Sequence, residues 1–395
     1  MIQLSVRGRY TRARNFFVSG LALALRSSVA ICMGLAAAAP VLAADVKLLQ
    51  IGPFTVLPAP DATQVNQGIK AYINGVNKTG INGHKLVLTE VDDRFNADRF
   101  VAEFNTAMKD KPLAMISPVG AVTVKRMLDD KLLDGADIVV MNAIPGAESL
   151  RTPGHPKLFH VRAGDKQQIE KIINHVRTLG IKRLSVFYED QPAGTSGMAV
   201  AQQVASRGDG VEIKGVKSAP TAPEMAAASV QLASQNPQGV LLVGTPRFMG
   251  DGVAALRKAG VSQAVFVLSY VPAALIVKLA GPEGARGVGI AQTYPNPNGR
   301  TLPLHREFQA AMKASFPQIQ EYSPFQLEGY LSARIVGEAL KRSKEKEPTP
   351  AGLASTLRSM GEIDFGGYRV DFSKGNAGSS FVDIGVIGAD GRLRY

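Results

Sequence analysis

Short apolar runs alternate with amphipathic segments along this chain, and no other feature constrains its fold as strongly. Runs of strand length occupy residues 46–51, 86–91, 113–117 and 138–141. The segments between them carry apolar residues at helical spacing, at 62–77, 97–108 and 122–133. Strands separated by helices pair in parallel, through right-handed crossovers that cover both faces of the sheet. The alternation therefore predicts an α/β fold.

A turn-rich stretch at 145–156 interrupts the alternation, which then resumes. Further strands are predicted at 184–188, 211–216, 240–243 and 265–268, with helices at 196–206, 223–234 and 249–259. The 352 residues beyond residue 43 exceed what one hydrophobic core usually supports, so two similar lobes are expected. The C-terminal part predicts helices at 304–316, 324–343 and 350–359, strands at 368–372 and 381–387, and a final turn at Asp390-Gly391. The broad apolar face of the helix at 324–343 places it in a core.

The first 43 residues have the pattern of a cleavable secretory signal. Five arginines precede an apolar run at 29–39, and small residues at 41–43 predict cleavage after Ala43. Two alternatives exist. A membrane anchor needs about 20 uninterrupted apolar residues, whereas Arg26, Ser27 and Ser28 divide this segment. A lipoprotein would be modified at Cys32, but bulky Ile31 precedes it where a small residue is expected. We expect a periplasmic protein without direct membrane insertion.

Charge does not indicate nucleic-acid binding. The formal charge of +12 falls to +7 once the five arginines of the signal are removed, and no basic stripe with interleaved aromatic residues remains. The chain beyond residue 43 contains no cysteine, which excludes disulfides, thiol nucleophiles and thiolate metal sites.

No catalytic or metal-binding motif is evident. The five histidines are scattered without metal-ligand spacing, and residues 194–197 lack the spacing of a serine nucleophile elbow. Gly287-Val288-Gly289 lacks the third glycine of a dinucleotide fingerprint and precedes a strand instead of following one. We expect no enzyme, no cofactor and no metal. A secreted hydrolase is kept as the alternative, since Asp61, Glu189 and Asp190 could face a cleft, although no partner base is evident.

The loops that follow the predicted strands look functional. They are small, polar and interrupted by proline, at 52–55, 118–123, 142–145, 190–194, 244–246 and 269–271. Ligands of open α/β sheets bind at this edge, where helix N-termini present free N–H groups. Two lobes with such edges could close on a small solute.

Several sequence segments, taken in order, resemble the type I periplasmic binding proteins, and in particular the leucine/isoleucine/valine-binding-like receptors of ABC importers. The segments are Gly68-Ile69-Lys70-Ala71-Tyr72, residues 83–86 leading into Asp92-Asp93, residues 180–186, residues 256–260, residues 326–330 and Asp390-Gly391. The resemblance implies two Rossmann-like lobes joined by three hinge crossovers, which close on a small molecule and dock on a membrane permease. It divides the chain into a signal peptide (1–43), first-lobe segments (44–163 and 293–362) and second-lobe segments (164–292 and 363–395).

The resemblance also places a ligand pocket, in which this chain departs from the amino-acid receptors of the family. Ala121 stands where a serine often holds the substrate carboxylate, Pro145 replaces a hydroxyl residue, and Tyr270 falls near the acid that pairs with an ammonium. The amides at the start of the helix near residue 121 could still bind an anion. The predicted ligand-binding residues are Phe54, Thr55, Gly120, Ala121, Val122, Thr123, Asn142, Ala143, Ile144, Ala193, Thr245 and Tyr270.

These departures predict a ligand without an α-ammonium group: a small carboxylate, which could be aromatic, or a neutral solute, with Tyr270 and Phe54 as candidate walls of the pocket. The alternatives are a branched-chain or other amino acid, and a receptor that signals through a membrane partner instead of supplying a permease. A buried ammonium without a carboxylate partner is costly, which favours the first ligand class.

Overall fold

The computed structural model describes residues 44–56, 60–208 and 210–395. The predicted signal peptide, including Cys32, lies outside these residues. Within them, no helix is long and apolar enough to cross a membrane.

Five parallel strands form the sheet of the first lobe, in the order β2-β1-β3-β4-β5. They are β1 (Val46–Gly52), β2 (Leu86–Asp92), β3 (Ala114–Ile116), β4 (Val139–Met141) and β5 (Leu158–Phe159). The connecting helices are α1 (Pro60–Val76), α2 (Ala97–Ala107), α3 (Ala121–Asp129) and the short α4 (Leu132–Gly135). The predicted parallel α/β arrangement is confirmed.

The second lobe repeats the same connectivity. Its elements are α5 (Asp165–Thr178), β6 (Arg183–Glu189), α6 (Pro192–Ser206), β7 (Glu212–Ser218), α7 (Ala222–Ser234), β8 (Gly239–Val243), α8 (Pro246–Lys258), β9 (Ala264–Val267), α9 (Ala273–Ala285) and β10 (Gly289–Gln292). The strands β7-β6-β8-β9-β10 follow the same spatial order as β2-β1-β3-β4-β5. The two lobes are thus two copies of one topology.

The C-terminal part is divided between the lobes. Helices α10 (Pro303–Ser315), α11 (Pro324–Arg342) and α12 (Pro350–Ser359) contribute to the core of the first lobe, and β11 (Ile363–Asp364) pairs with β12 (Arg369–Val370). The hairpin of β13 (Asp383–Ile387) and β14 (Leu393–Arg394) extends the second sheet, with β13 antiparallel to β10.

The segment 363–395, assigned by sequence to the second lobe, contributes to both lobes. Phe365, Tyr368, Val370 and Phe372 lie in the hydrophobic core of the first lobe, and the chain joins the second sheet only at β13. The apolar residues at 365–372 complete a core that α10 and α11 leave open.

The chain passes between the lobes three times: at 160–164, at 293–302 and at 371–382. These crossovers contact one another directly. His160 of the first crossover pairs with Ala377 of the third. The hydroxyl of Tyr368, just before the third crossover, donates to the carbonyl oxygens of Val161 (3.0 Å) and Thr293 (3.4 Å) and so joins the first two. The three segments therefore form one hinge.

Local sequence explains where the elements differ from prediction. The helix predicted at 122–133 ends at Asp129, because Lys131 adopts a left-handed conformation with φ 54° and α4 begins after it. Helices α5 and α9 were not predicted. Helix α9 is interrupted at Gly281 (φ 74°) and Pro282, which disrupts the helical pattern in its sequence.

Helix α11 is buried in the first lobe, as its apolar face predicted, and glycines allow it to contact α1 closely. A Cβ atom on Gly68 of α1 would lie 1.9 Å from the Gln326 carbonyl oxygen, and one on Gly329 of α11 would lie 2.0 Å from that of Val65. The two helix backbones are therefore in contact.

Substituting Gly329→Ala should lower the free energy of unfolding by about 1–3 kcal/mol, because the new methyl group meets backbone atoms that have little room to move. Gly75→Ala, in α1 but facing open space, is the matched control and should be neutral or stabilising by up to about 1 kcal/mol. Denaturant unfolding of both variants tests this. Equal stability of the two variants would show that the helices do not require this close contact.

Candidate functional site

A cavity of about 430 Å³ lies between the two lobes, at the C-terminal ends of the strands of both sheets. The first lobe lines it with Val56, Phe95, Val119, Gly120, Ala121, Ile144, Pro145, Gly146 and Ala147. Asp165, at the start of α5, and the second lobe supply the remainder: Glu189, Gln191, Ala193, Pro220, Val243, Gly244, Thr245, Pro246, Arg247, Leu268, Tyr270 and Pro272. Most of these side chains are apolar.

Topology explains this position. In each lobe the strand order reverses beside the first strand, between β1 and β3 and between β6 and β8. At such a reversal the two connecting helices pack on opposite faces of the sheet. This leaves a crevice at the carboxyl ends of the strands. Here the crevices of both lobes open into one cavity.

Six of the twelve predicted ligand-binding residues line this cavity: Gly120, Ala121, Ile144, Ala193, Thr245 and Tyr270. They come from five different strand ends, so the fold brings together positions up to 150 residues apart in sequence.

The other six predicted residues lie outside the lining: Phe54, Thr55, Val122, Thr123, Asn142 and Ala143. Phe54 and Thr55 donate hydrogen bonds to the Asp92 carboxylate, so the turn after β1 folds onto β2 and presents Val56 to the cavity instead. Ala143 is buried in the first-lobe core. The side chains of Val122 and Thr123 belong to the first turn of α3, the former 66% exposed and the latter buried.

Asn142 does not line the cavity; its side chain belongs to a buried hydrogen-bond network. It is fully buried with φ 61°, its amide donates to the Glu328 carboxylate (2.9 Å), and its side-chain oxygen accepts the N–H groups of Val161 and Arg162 (both 3.0 Å). It thus connects the end of β4 to the first crossover.

The start of α3 forms one side of the cavity. Gly120 precedes the helix with φ 97°, a conformation that favours glycine, and no side chain caps the helix there. The first N–H groups of a helix lack intrahelical acceptors and carry a partial positive charge. This end of the cavity can accept an anionic group.

Phe95, which sequence reasoning missed, covers this helix start. The residue is 53% exposed with φ 56°, and a Cβ atom on Gly120 would lie 3.1 Å from its ring. The buried carboxylate of Asp93 holds the turn by accepting the Phe95 N–H (2.8 Å), and burial raises the pKa of Asp93 to about 6. No local signal in the sequence marks this contact, because Phe95 and Gly120 are 25 residues apart.

Two carboxylates line the cavity, although the predicted pocket contained none. Glu189, at the end of β6, accepts the Thr245 N–H (2.6 Å), and Asp165 accepts the Tyr270 hydroxyl. Burial raises the pKa of Asp165 above its usual value. Glu189 appeared in the sequence only as a weak catalytic candidate.

Positive charge is present on the second-lobe side. Arg247, near the start of α8, lines the cavity and pairs with Asp251 one helical turn later (2.5 Å). Across the described ranges, no three His, Cys, Asp or Glu residues are grouped so as to hold a metal ion. The arrangement supplies hydrogen bonds, charge and apolar surface.

Comparison with known proteins gives a consistent result. The family model described as a periplasmic binding protein matches residues 45–391. The chain is similar to the crystal structure of an extracellular ligand-binding receptor from Verminephrobacter eiseniae, with 59% identity over 89% of this chain and 100% of that one, at a TM-score of 0.85. The comparison with curated proteins found no match.

Two more distant structures share the fold. A substrate-binding periplasmic protein from Ralstonia solanacearum is 25% identical over 89% of this chain and 99% of that one, with a TM-score of 0.79. A leucine-binding protein from Thermotoga maritima is 18% identical over 88% and 97%, with a TM-score of 0.76. The resemblance noted in the sequence is thereby confirmed.

Asp92 and Asp93, at the end of β2, should affect the free energy of unfolding in opposite directions as the pH changes. Because the pKa of Asp93 is raised in the folded protein, its contribution is most favourable below about pH 4 and is lost as the pH rises to about 6. Burial raises the pKa of Asp92, but hydrogen bonds from Thr55, Arg94 and Phe54 outweigh this and lower it. The stability from Asp92 is therefore present above about pH 4 and is lost as the pH falls.

Thermal unfolding of Asp93→Asn and Asp92→Asn at pH 3, 4.5 and 7 tests this. Relative to the unsubstituted protein, Asp93→Asn should gain stability between pH 4.5 and 7, whereas Asp92→Asn should lose stability between pH 3 and 4.5 and change little above that. Parallel shifts of the two variants would contradict the assigned environments.

Proposed function

Because this chain belongs to the periplasmic binding protein family, we propose that it is a secreted receptor whose lobes close on a small, mostly apolar carboxylate without an α-ammonium group. Members of this family are substrate-binding receptors and not enzymes, which sets aside the hydrolase alternative. The receptor would deliver its ligand to the permease of an ABC importer.

The proposal rests on the chemistry of the interlobe cavity. Its volume of about 430 Å³ is in the range of small-molecule sites, and its walls are mainly valine, alanine, proline, leucine and isoleucine. The uncapped start of α3 offers free N–H groups to a carboxylate, and Phe95 offers an aromatic surface beside it. A ligand with a carboxylate head would place this head at the start of α3 and its apolar body against the apolar walls and Phe95.

The cavity carboxylates do not require a ligand ammonium. Glu189 already accepts the Thr245 N–H, and Asp165 already accepts the Tyr270 hydroxyl. Both are therefore satisfied in part by protein groups.

A second candidate, an amino acid, is favoured by one observation. Glu189 is buried at the cavity, and among the described residues its carboxylate forms no ion pair, whereas the carboxylate of the adjacent Asp190 pairs with Lys217 (3.2 Å). A ligand ammonium could pair with this carboxylate.

Matched ligand pairs separate the two candidates by calorimetry. Leucine and 4-methylpentanoate differ only in the α-ammonium, as do phenylalanine and 3-phenylpropanoate. We expect each desamino acid to bind at least about tenfold more tightly than its amino acid, because the ammonium would be buried without a dedicated partner. Tighter binding of leucine would overturn the proposed ligand class.

Glu189→Gln provides a second criterion for the same question. It should change the Kd for the desamino acids less than about threefold, since glutamine still accepts the Thr245 N–H. If the ligand is an amino acid, the substitution should weaken its binding about tenfold or more by removing the charge that pairs with the ammonium.

Secretion is a separate part of the proposal. Cleavage after Ala43 would leave β1 intact, because this strand begins at Val46. Intact-mass measurement of the protein from the periplasmic fraction should give a chain beginning at Ala44. A chain beginning at a lipid-modified Cys32 would contradict this, and a mass retaining all 395 residues would indicate an uncleaved anchor.

A further inference from the structure

A buried arginine occupies the first crossover, outside the cavity lining. Arg162 is 1% exposed, and its own N–H is held by Asn142 (3.0 Å). Burial lowers the pKa of its guanidinium, but the Glu328 carboxylate and neighbouring tyrosines outweigh this, and the net pKa is raised. Arg162 is therefore a buried cation.

The guanidinium of Arg162 contacts both lobes at once. On the first-lobe side its Nη1 lies 3.4 Å from the Glu328 carboxylate of α11 and donates to the Ile144 carbonyl oxygen (3.1 Å). On the second-lobe side its Nη2 donates to the Ser269 hydroxyl, and its Cζ lies 4.7 Å from the ring centroid of Tyr270. Ile144 of the first lobe and Tyr270 of the second lobe both line the cavity.

The same crossover holds Tyr270 by a second contact. Asp165, which ends this crossover and begins α5, accepts the Tyr270 hydroxyl and donates its own N–H to the Gly146 carbonyl oxygen (2.9 Å). Gly146 leaves room for this arrangement, since a Cβ atom there would lie 2.2 Å from the Tyr270 hydroxyl oxygen. The ring of Tyr270 is thus fixed at its face and at its hydroxyl.

Only an arginine can make this set of contacts. Its planar fork donates in several directions while its face stacks on an aromatic ring, whereas lysine presents a single ammonium. Breaking some of the hydrogen bonds of a buried charge costs free energy. The groups that contact Arg162 are therefore held in one arrangement.

We propose that Arg162 is a positioning residue for the ligand: it sets the distance between the Ile144 and Tyr270 walls, so that affinity and size selectivity depend on a side chain that does not line the cavity. The proposal rests on the interlobe cavity being the ligand site, but not on the chemical class of the ligand.

The first test needs no ligand, and it uses the absence of cysteine beyond residue 43. Spin labels are placed on Asn105→Cys in α2 and Val230→Cys in α7, both exposed and in different lobes. In the ligand-free protein, Arg162→Lys should broaden the distribution of distances between the labels. An unchanged distribution would overturn the proposal.

Arg334→Lys is the matched control. Arg334 also pairs with a glutamate (Glu307, 2.7 Å) and stacks on an aromatic ring (Phe365, 5.2 Å), but it lies in the first lobe alone, away from the cavity. It should leave the distance distribution unchanged, even if it lowers the unfolding temperature as much as Arg162→Lys does.

The second test measures binding of 4-methylpentanoate and 3-phenylpropanoate. Arg162→Lys should raise the Kd about tenfold or more for at least one of them and change the ratio of the two Kd values, mainly through faster dissociation. Arg334→Lys should alter neither Kd more than about twofold. Equal binding by Arg162→Lys and the unsubstituted protein would overturn the proposal.

If Arg162→Lys does not fold, the milder variant Ser269→Ala still tests the positioning role of Arg162. Ser269→Ala removes only the second-lobe acceptor of Arg162 and should still broaden the label distances and raise the Kd about threefold. Normal distances and normal binding in Ser269→Ala would then refute the positioning role. If the unsubstituted protein binds neither acid, the proposed ligand class fails, while the label distances still decide the role of Arg162.

Discussion

The buried charge of Arg162 is the constraint on which the interlobe geometry depends. A guanidinium removed from water needs hydrogen-bond acceptors. Here the acceptors of the two Nη atoms come from both lobes, with Glu328 of α11 among them, whereas the buried Nε has no acceptor among the described residues. Asn142 and Tyr294 complete the arrangement by donating to the same Glu328 carboxylate (2.9 and 3.3 Å). Relative movement of the lobes must therefore occur around this cluster.

The position of the cavity depends on the Arg162 cluster and on the topology that the two lobes share. Both sheets have the same strand order, so each presents its carboxyl edge as a set of loops and helix starts. The crossovers hold these edges face to face, and the second lobe's Tyr270 reaches the first lobe beside Gly146. A ligand between the lobes would contact both edges and, through Tyr270 and Ile144, the hinge itself.

The sequence predicted the features that depend on local pattern. The strand and helix alternation and the buried face of α11 both follow from periodicity. Arg162, Glu189 and Phe95 could not be assigned in this way. Their roles depend on partners about 20 to 170 residues away, such as Glu328 for Arg162 and Thr245 for Glu189, and no local signal marks such pairs.

If the interlobe cavity binds an apolar carboxylate, the natively purified protein should carry one. Mass spectrometry of small molecules released when the natively purified protein is denatured should detect an organic acid with an apolar body and no α-ammonium group. Release of an amino acid, or of an uncharged sugar, at one molecule per protein chain would contradict this ligand class.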